Sequence, residues 1–305
     1  MGNARDYFSF GVTTQCGPFA IGELSAVADA VGRPLDFTAV PQAAALDSVA
    51  GVGAQPVITW EPWRWDGRRD PILQRVRSGR YDSHLRRWAA TLRTWGSPVA
   101  LRFGHEFNGH WYPWSAGAGI RHTLYVEVWH HVHEVITTEG ATNVRWVWSP
   151  TAGLTDGPPL EPWYPGDDYV DVIGVDGYNW GSSQQWSRWV EPEELFDSTL
   201  EEVRTVAGHL PLLITEVACA EAGGSKPGWI GTLLSYLVAQ PDVEGLIWFD
   251  HDKETDWRIT RSAASAAPAT SRASTTRSTR RARRPSGASS ASSSTWASPT
   301  ATAGW

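Results

Sequence analysis

Two carboxylates stand out in this 305-residue chain because each arrives at the end of an apolar run. Glu106 lies in Leu101-Arg-Phe-Gly-His-Glu-Phe-Asn-Gly-His-Trp-Tyr-Pro-Trp114, and Glu216 follows the run at 210–215. The first stretch opens as a strand with Val99, Ala100 and Leu101 and breaks at Asn108-Gly109, a pair that favours a turn. Period-2 alternation puts Arg102, Gly104 and Glu106 on one face and Leu101 and Phe103 on the other. A strand that served packing alone has no reason to end in an arginine and a carboxylate, with Trp111, Tyr112 and Trp114 close behind. Two opposed carboxyls suit glycosidic-bond cleavage with retention, which needs a proton donor and a nucleophile about 5–5.5 Å apart. Aromatic walls such as Trp111 and Tyr112 would raise the acid's pKa by desolvation, while Arg102 or the hydroxyl of Tyr178 would keep the nucleophile ionised. The bland alternative, a surface or salt-bridged role for each glutamate, leaves the shared strand-end position unexplained.

The elements that must position these groups follow from hydrophobic periodicity. Strands are predicted at 7–14, 36–40, 55–60, from 99, at 144–148, 170–175, 210–215 and 245–249. Helices are predicted at 21–31, 42–52, 81–95, 121–138, 192–207 and 229–239. The strands read as short apolar runs covered on both faces, as in a parallel sheet. Eight such units in about 250 residues predict an α/β fold, the (β/α)8 TIM barrel. Polar and aromatic residues gather after the strands, at Glu61, Glu106, Asp176, Tyr178, Glu216 and Asp250, the end that carries the chemistry in that fold. Asp176 and Asp250 read equally well as ligand-binding or structural groups.

Composition bounds the partners. The chain has 19 tryptophans, more than one core requires, so many are expected at surfaces or clefts, where flat rings stack on flat ligands such as sugars. Net charge is −7, but residues 258–305 hold eight basic and no acidic residues, leaving 18 basic against 33 acidic, or −15, in residues 1–257. So acidic a body argues against nucleic acid. No apolar run approaches the roughly 20 residues of a membrane span, and the first residues lack the apolar core of a signal peptide. Cys16 and Cys219 are expected to be ordinary buried thiols.

Periodicity stops after Trp257. Residues 1–257 are read as the catalytic barrel and 258–305 as a disordered Ser/Ala/Thr/Arg-rich tail. The eighth helix is missing, so the first and last strands are expected to be partly uncovered and stability reduced. The change near Thr260 is abrupt enough to suggest a displaced reading frame rather than a linker or a basic tail with its own partner.

Other chemistries fit less well. His105-Glu106-Phe-Asn-Gly-His110 is one residue longer than the zinc motif H-E-x-x-H and contains Asn-Gly, so its histidines cannot share a helix face. His130, His131 and His133 read as a solvated helix face. No nucleophile elbow, Walker loop or dinucleotide fingerprint is present. No metal or cofactor is expected.

The strings Arg102…His105-Glu106-Phe107-Asn108-Gly109…Trp111-Tyr112-Pro113-Trp114, Ile214-Thr215-Glu216, Asp176-Gly177-Tyr178-Asn179 and Leu246-Ile247-Trp248-Phe249 resemble strand ends of family 26 glycoside hydrolases. The resemblance covers residues 7–257. It implies a retaining barrel enzyme with Glu106 as acid/base and Glu216 as nucleophile. It further implies that His105 orders the site, Trp111 lines the reacting subsite, Tyr178 orients the nucleophile and Trp248 forms a platform under the sugar; Arg102 and Trp114 join the expected binding set. The implied substrate is β-1,4-mannan, or else mixed-linkage β-glucan or β-1,3-xylan. A sugar-binding protein without catalysis is the competing class. A monomer acting outside the cell on polysaccharide, away from nucleic acid and membrane, is the expectation.

Overall fold

Strands buried on both faces need a sheet without edges, and this chain supplies one by closure. The computed structural model describes residues 8–17, 20–40, 46–62 and 71–259. Eight parallel strands pair in chain order: β1 (Ser9–Thr14), β2 (Phe37–Val40), β3 (Gln55–Trp60), β4 (Val99–Phe103), β5 (Val144–Trp148), β6 (Val172–Asn179), β7 (Leu212–Cys219) and β8 (Val243–Asp250). The barrel closes where β1 runs beside β8, from Ser9 opposite Gly245 to Thr14 opposite Asp250. Outside lie α1 (Ile21–Val31), α2 (Leu46–Gly51), α3 (Ile72–Arg77), α4 (Asp82–Trp95), α5 (His122–Thr138), α6 (Pro192–Ala207) and α7 (Lys226–Val238). This is the TIM barrel that the spacing predicts.

The barrel's centre is filled by side chains rather than open. Phe37, Val57, Ala100, Val147, Leu213 and Ile247 form its inner cluster. β1 contributes Gly11, where a Cβ would stand 2.6 Å from that of Phe37, so the large ring on one strand requires none on its neighbour.

Several boundaries move for local reasons. β6 and β7 run on to Asn179 and Cys219, four residues past their predicted ends, because their ladder continues through Asp176 and Glu216 to Asn179 beside Cys219. α7 starts at Lys226, three residues before the predicted start, where the Ser225 hydroxyl caps the Gly228 amide at 3.3 Å. Residues 42–45 of the second predicted helix lie outside the described residues, as does the tail from 260 on.

The tryptophan surplus serves packing more than surface. Trp114, Trp129, Trp146, Trp148, Trp163, Trp229, Trp248 and Trp257 are buried, and only Trp111 and Trp186 are exposed among the described residues. The outer faces of the closing strands are also covered: Phe10 and Val12 on β1 and Leu246 and Trp248 on β8 are buried. The stretch after β8 folds back here. Buried Lys226 donates to the carbonyls of Asp256 and Arg258 at 2.9 and 3.2 Å, and Asp250 accepts from the Ile259 amide at 2.6 Å. Asp250 is thus structural.

The histidines of α5 are partly buried rather than solvated. His130 stacks on Tyr169 at 3.9 Å, His131 meets Asp82 at 2.7 Å, and His133 packs on Trp146 at 4.8 Å. They point to three different partners. Cys219 is buried, Cys16 is exposed, and both are free thiols. No helix among the described residues is long and apolar enough to cross a membrane.

Candidate active site

The site begins with an arginine inside the barrel. Alternation along β4 turns Ala100 inward and Leu101 and Phe103 out to the helices, so Arg102 points into the barrel mouth, 1% exposed. A buried guanidinium needs charge and acceptors around it. Nη1 donates to both oxygens of Asp176 at 2.8 Å, Nε to Thr59 Oγ1 at 3.1 Å, and Nη2 to Glu216 Oε1. Asp176 is completed by Thr215 at 2.6 Å and Ser149 at 3.3 Å. This resolves its reading as structural: it anchors Arg102 from below.

Glu216 reaches that centre through a register shift. Val175 pairs with Ile214, but Asp176 pairs with Glu216, so Thr215 is an extra residue in β7. An extra residue re-aims the side chains after it. Thr215 and Glu216 consequently both face the mouth, although they are adjacent in sequence. Tyr178 donates to Glu216 Oε2 at 2.6 Å, so each carboxylate oxygen has its own donor. Burial alone would push this carboxyl up, but the Arg102 charge and the Tyr178 hydroxyl hold it at about 2.

Glu106 does not share a strand face with Arg102. β4 ends at Phe103, and positive φ at Gly104 (52°) and Glu106 (51°) breaks the alternation. A left-handed non-glycine residue is disfavoured by about 1–2 kcal/mol and persists only where its surroundings dictate it. Here they do. The Glu106 amide donates to the Ser149 carbonyl at 2.7 Å, and Asn108 makes two bonds to the Thr151 backbone at 2.8 and 2.9 Å. Phe107 is stacked between Trp148 and Trp163, at 5.0 and 5.4 Å. The turn after β4 is therefore locked to the end of β5.

The next residues build the wall. Trp111 lies over Gly109, where a Cβ would meet the indole at 2.8 Å, and its Nε1 donates to Glu106 Oε2 at 2.6 Å. Glu106 is 6% exposed. Burial first, then the neighbouring Asp176 and Glu216 carboxylates, push its pKa well above the ordinary value. Trp111 itself is 44% exposed, which leaves a ring face open to a ligand.

Two expected binding residues lie elsewhere. Trp114 is fully buried; its Nε1 donates to the His105 carbonyl at 2.7 Å and its ring stacks on Tyr112 at 4.3 Å. It supports the site from behind. Trp248 alternates with inward Ile247, faces the outer core, and donates to the Trp257 carbonyl at 3.0 Å. Phe249, one residue later, is the partly exposed β8 ring beside Tyr178, at 5.7 Å. A one-residue change of parity separates the two, and parity counted from Ile247 could have found Phe249. His105 is buried against Tyr112, with Nε2 3.9 Å from Glu61, and burial beside Arg102 depresses its pKa to about 3, so it is neutral at neutral pH.

His105, Asp176 and Glu216 place ligand atoms within 4.8 Å of one another. The Arg102 guanidinium already bonds both carboxylates, so a cation there would have to displace it.

Residues 76–222 match the profile described as Glycosyl hydrolase family 26. Endoglucanase H of Acetivibrio thermocellus is 34% identical over 222 residues, 71% of this chain and 24% of that protein. A mannan endo-1,4-beta-mannosidase of Bacillus subtilis is 35% identical over 128 residues, 39% of this chain and 31% of that protein. The chain thus spans under a third of the length of either curated relative. A solved β-mannanase of Bacteroides ovatus superposes with a TM-score of 0.65, covering 89% of this chain and 90% of that one at 19% identity, a likeness of fold.

Proposed function

The chain belongs to glycosyl hydrolase family 26, and from that premise we propose that its barrel mouth is a retaining β-glycosidase site acting on a β-linked polysaccharide. Glu106 is its general acid/base and Glu216 its nucleophile. The observation that carries this reading is the contrast between two carboxyls at one mouth: Glu106, 6% exposed and bonded only by the Trp111 indole among the described side chains, is pushed well above its ordinary pKa, while Glu216, bonded by Arg102 and Tyr178, is held at about 2. The upward shift favours a proton on Glu106 and the downward shift a charge on Glu216, the division that double displacement requires.

In the first step Glu216 attacks the anomeric carbon while Glu106 gives its proton to the departing glycosidic oxygen. The sugar is then an ester of Glu216, whose negative charge is gone. That charge helped to hold the proton on Glu106, so its loss lowers the Glu106 pKa just when a base is needed. In the second step Glu106 takes a proton from water, the water oxygen attacks the anomeric carbon, and Glu216 is released beside Arg102. Arg102 and Tyr178 favour the ionised nucleophile, and Trp111 offers both a ring face and a hydrogen bond to the acid.

Three backbones compete as substrate, β-1,3-xylan among them because a β-1,3-xylanase of Vibrio is 25% identical over 61% of this chain. The longer alignment, over 71% of the chain, is with a protein named as an endoglucanase and favours a β-glucan. The motif resemblance and the mannosidase relative favour β-mannan. Mannose and glucose differ at the 2-hydroxyl, so discrimination rests on few hydrogen bonds near the reacting sugar. A polymer of any of these kinds is met outside the cell, which keeps an extracellular site of action within the proposal. Parallel reducing-sugar release from barley β-glucan, galactomannan and β-1,3-xylan separates the three. Glu106→Ala and Glu216→Ala should each reduce release by at least about 100-fold; wild-type-like turnover in either variant would remove the assigned roles.

A further inference from the structure

Trp186 has no part in the chemistry above, yet at 72% exposed it is the most exposed large hydrophobic side chain among the described residues. It lies on the loop between β6 and α6, leaving the strand that brings Asp176 and Tyr178 to the site. That loop is fixed at its neck, where Asn179 Oδ1 accepts from the amides of both Gly181 and Val190 at 3.0 and 3.2 Å. It is also fixed to the loop after β7. Ser182 donates to the Ala222 carbonyl at 2.9 Å, and the Trp189 indole lies on Gly224, where a Cβ would stand 2.5 Å from the ring. The backbone on both sides of Trp186 is thus held in place, so a ligand at its ring would not have to order the loop.

The ring is continuous with the reacting centre. Tyr178, whose hydroxyl bonds Glu216, lies 6.2 Å from Trp180, and Trp180 lies 5.2 Å from Trp186. Trp257, 1% exposed, backs Tyr178 and Trp180 at 5.3 and 4.8 Å and keeps both from folding inward. Exposure rises outward along this series, from half-buried Tyr178 and Trp180 to Trp186. Each step is on the scale of one pyranose ring, whose C–H face suits an indole.

We propose that Trp186, approached past Trp180, is the plate of a distal sugar subsite that holds a pyranose of the substrate chain beyond the unit at the carboxylates. The subsite makes the protein prefer long chains to short ones. It rests on the reading of the mouth as a polysaccharide-cleaving site and adds a residue that the catalytic motifs do not contain.

The test compares wild type, Trp186→Ala and Trp186→Phe on barley β-glucan, on galactomannan and on the nitrophenyl glycosides of the corresponding disaccharides. On whichever polymer is cleaved, Trp186→Ala should lose about tenfold in kcat/KM through KM. The matching disaccharide glycoside should lose several-fold less, and Trp186→Phe should recover part of the loss. Equal losses on polymer and disaccharide, or none on polymer, would overturn the subsite. Gel retardation by each polysaccharide is run alongside, so that a failed reaction reading is distinguished from a failed subsite. Without turnover, retardation of wild type that Trp186→Ala loses supports the subsite and rejects hydrolysis of these two polymers. Equal retardation of both proteins, or of neither, rejects the subsite.

Discussion

Replacing Arg102 by methionine tests the electrostatic design of the site most directly, because one guanidinium serves two carboxylates. Methionine keeps much of the length and removes the charge and every donor. Asp176 and Glu216, both held close to Arg102, would then face each other in a buried space. Two effects can be sized. The Glu216 pKa is about 2, against about 4.3 for a free glutamate. At about 1.36 kcal/mol for each pH unit, that difference is worth about 3 kcal/mol at neutral pH. Breaking a buried pair from one side costs about 3–5 kcal/mol by general experience, which agrees. The melting temperature should fall by about 10 °C, using about 2–4 °C per kcal/mol for a domain near this size. The pH dependence fixes the sign. A carboxyl with a depressed folded pKa contributes stability above its unfolded pKa and loses it as pH falls from there through about 2. The gap between wild type and Arg102→Met should therefore be widest near neutral pH and narrow on acidification. In activity, the proposed nucleophile Glu216 would no longer be held ionised, so the acid limb of kcat/KM should move upward and kcat should fall on the order of 10²–10³-fold. Thermal melts and pH–rate profiles, carried from neutral pH down to the lowest pH at which each protein stays folded, read both effects. An acid limb that stays in place, with a melting temperature within about 2 °C of wild type, would refute the reasoning.

Tyr178→Phe removes the 2.6 Å donor to Glu216 Oε2 and should lower kcat/KM about ten- to 100-fold, with a smaller upward move of the acid limb in the same profile. Trp111→Phe removes the donor to Glu106 Oε2, which favours the ionised form; the Glu106 pKa should rise and the basic limb of kcat/KM should move upward, and a downward move would contradict the geometry. Gly181→Ala places a Cβ 1.8 Å from the Ala222 carbonyl oxygen at a φ of +51°, so urea unfolding should show a loss of at least about 2 kcal/mol.

Tryptophan content shows why a composition is a weaker guide than a motif. An abundance of indoles suits a carbohydrate cleft, but in this fold most of the described ones fill the space between barrel and helices, as Trp129, Trp146 and Trp148 do around α5 and β5. The exposed pair, Trp111 and Trp186, is distinguished by loop position rather than by residue type. Trp111 follows Asn108-Gly109 and was legible; Trp186 sits in a stretch of polar residues with no motif around it.

The sequence by itself determined the architecture and singled out two glutamates for attention, because strand and helix periods are local and because a carboxyl at the end of an apolar run contradicts packing. The inward aim of Arg102 was also readable, since alternation along β4 holds as far as Phe103. Tertiary structure decided what alternation cannot reach. Glu106 is set by a left-handed turn that contacts with β5 enforce, and Glu216 by an extra residue in β7 that exists only relative to β6. Trp248 turns to the outer core and Phe249 does not for the same reason, since which of two neighbours faces the mouth depends on how β8 closes against β1. Even the opposite pKa shifts of the two carboxyls belong to the assembled site. Each pKa is shaped by burial and by charges delivered from other strands, above all by Arg102, which lies four residues from Glu106 in sequence but bonds Glu216, 114 residues away.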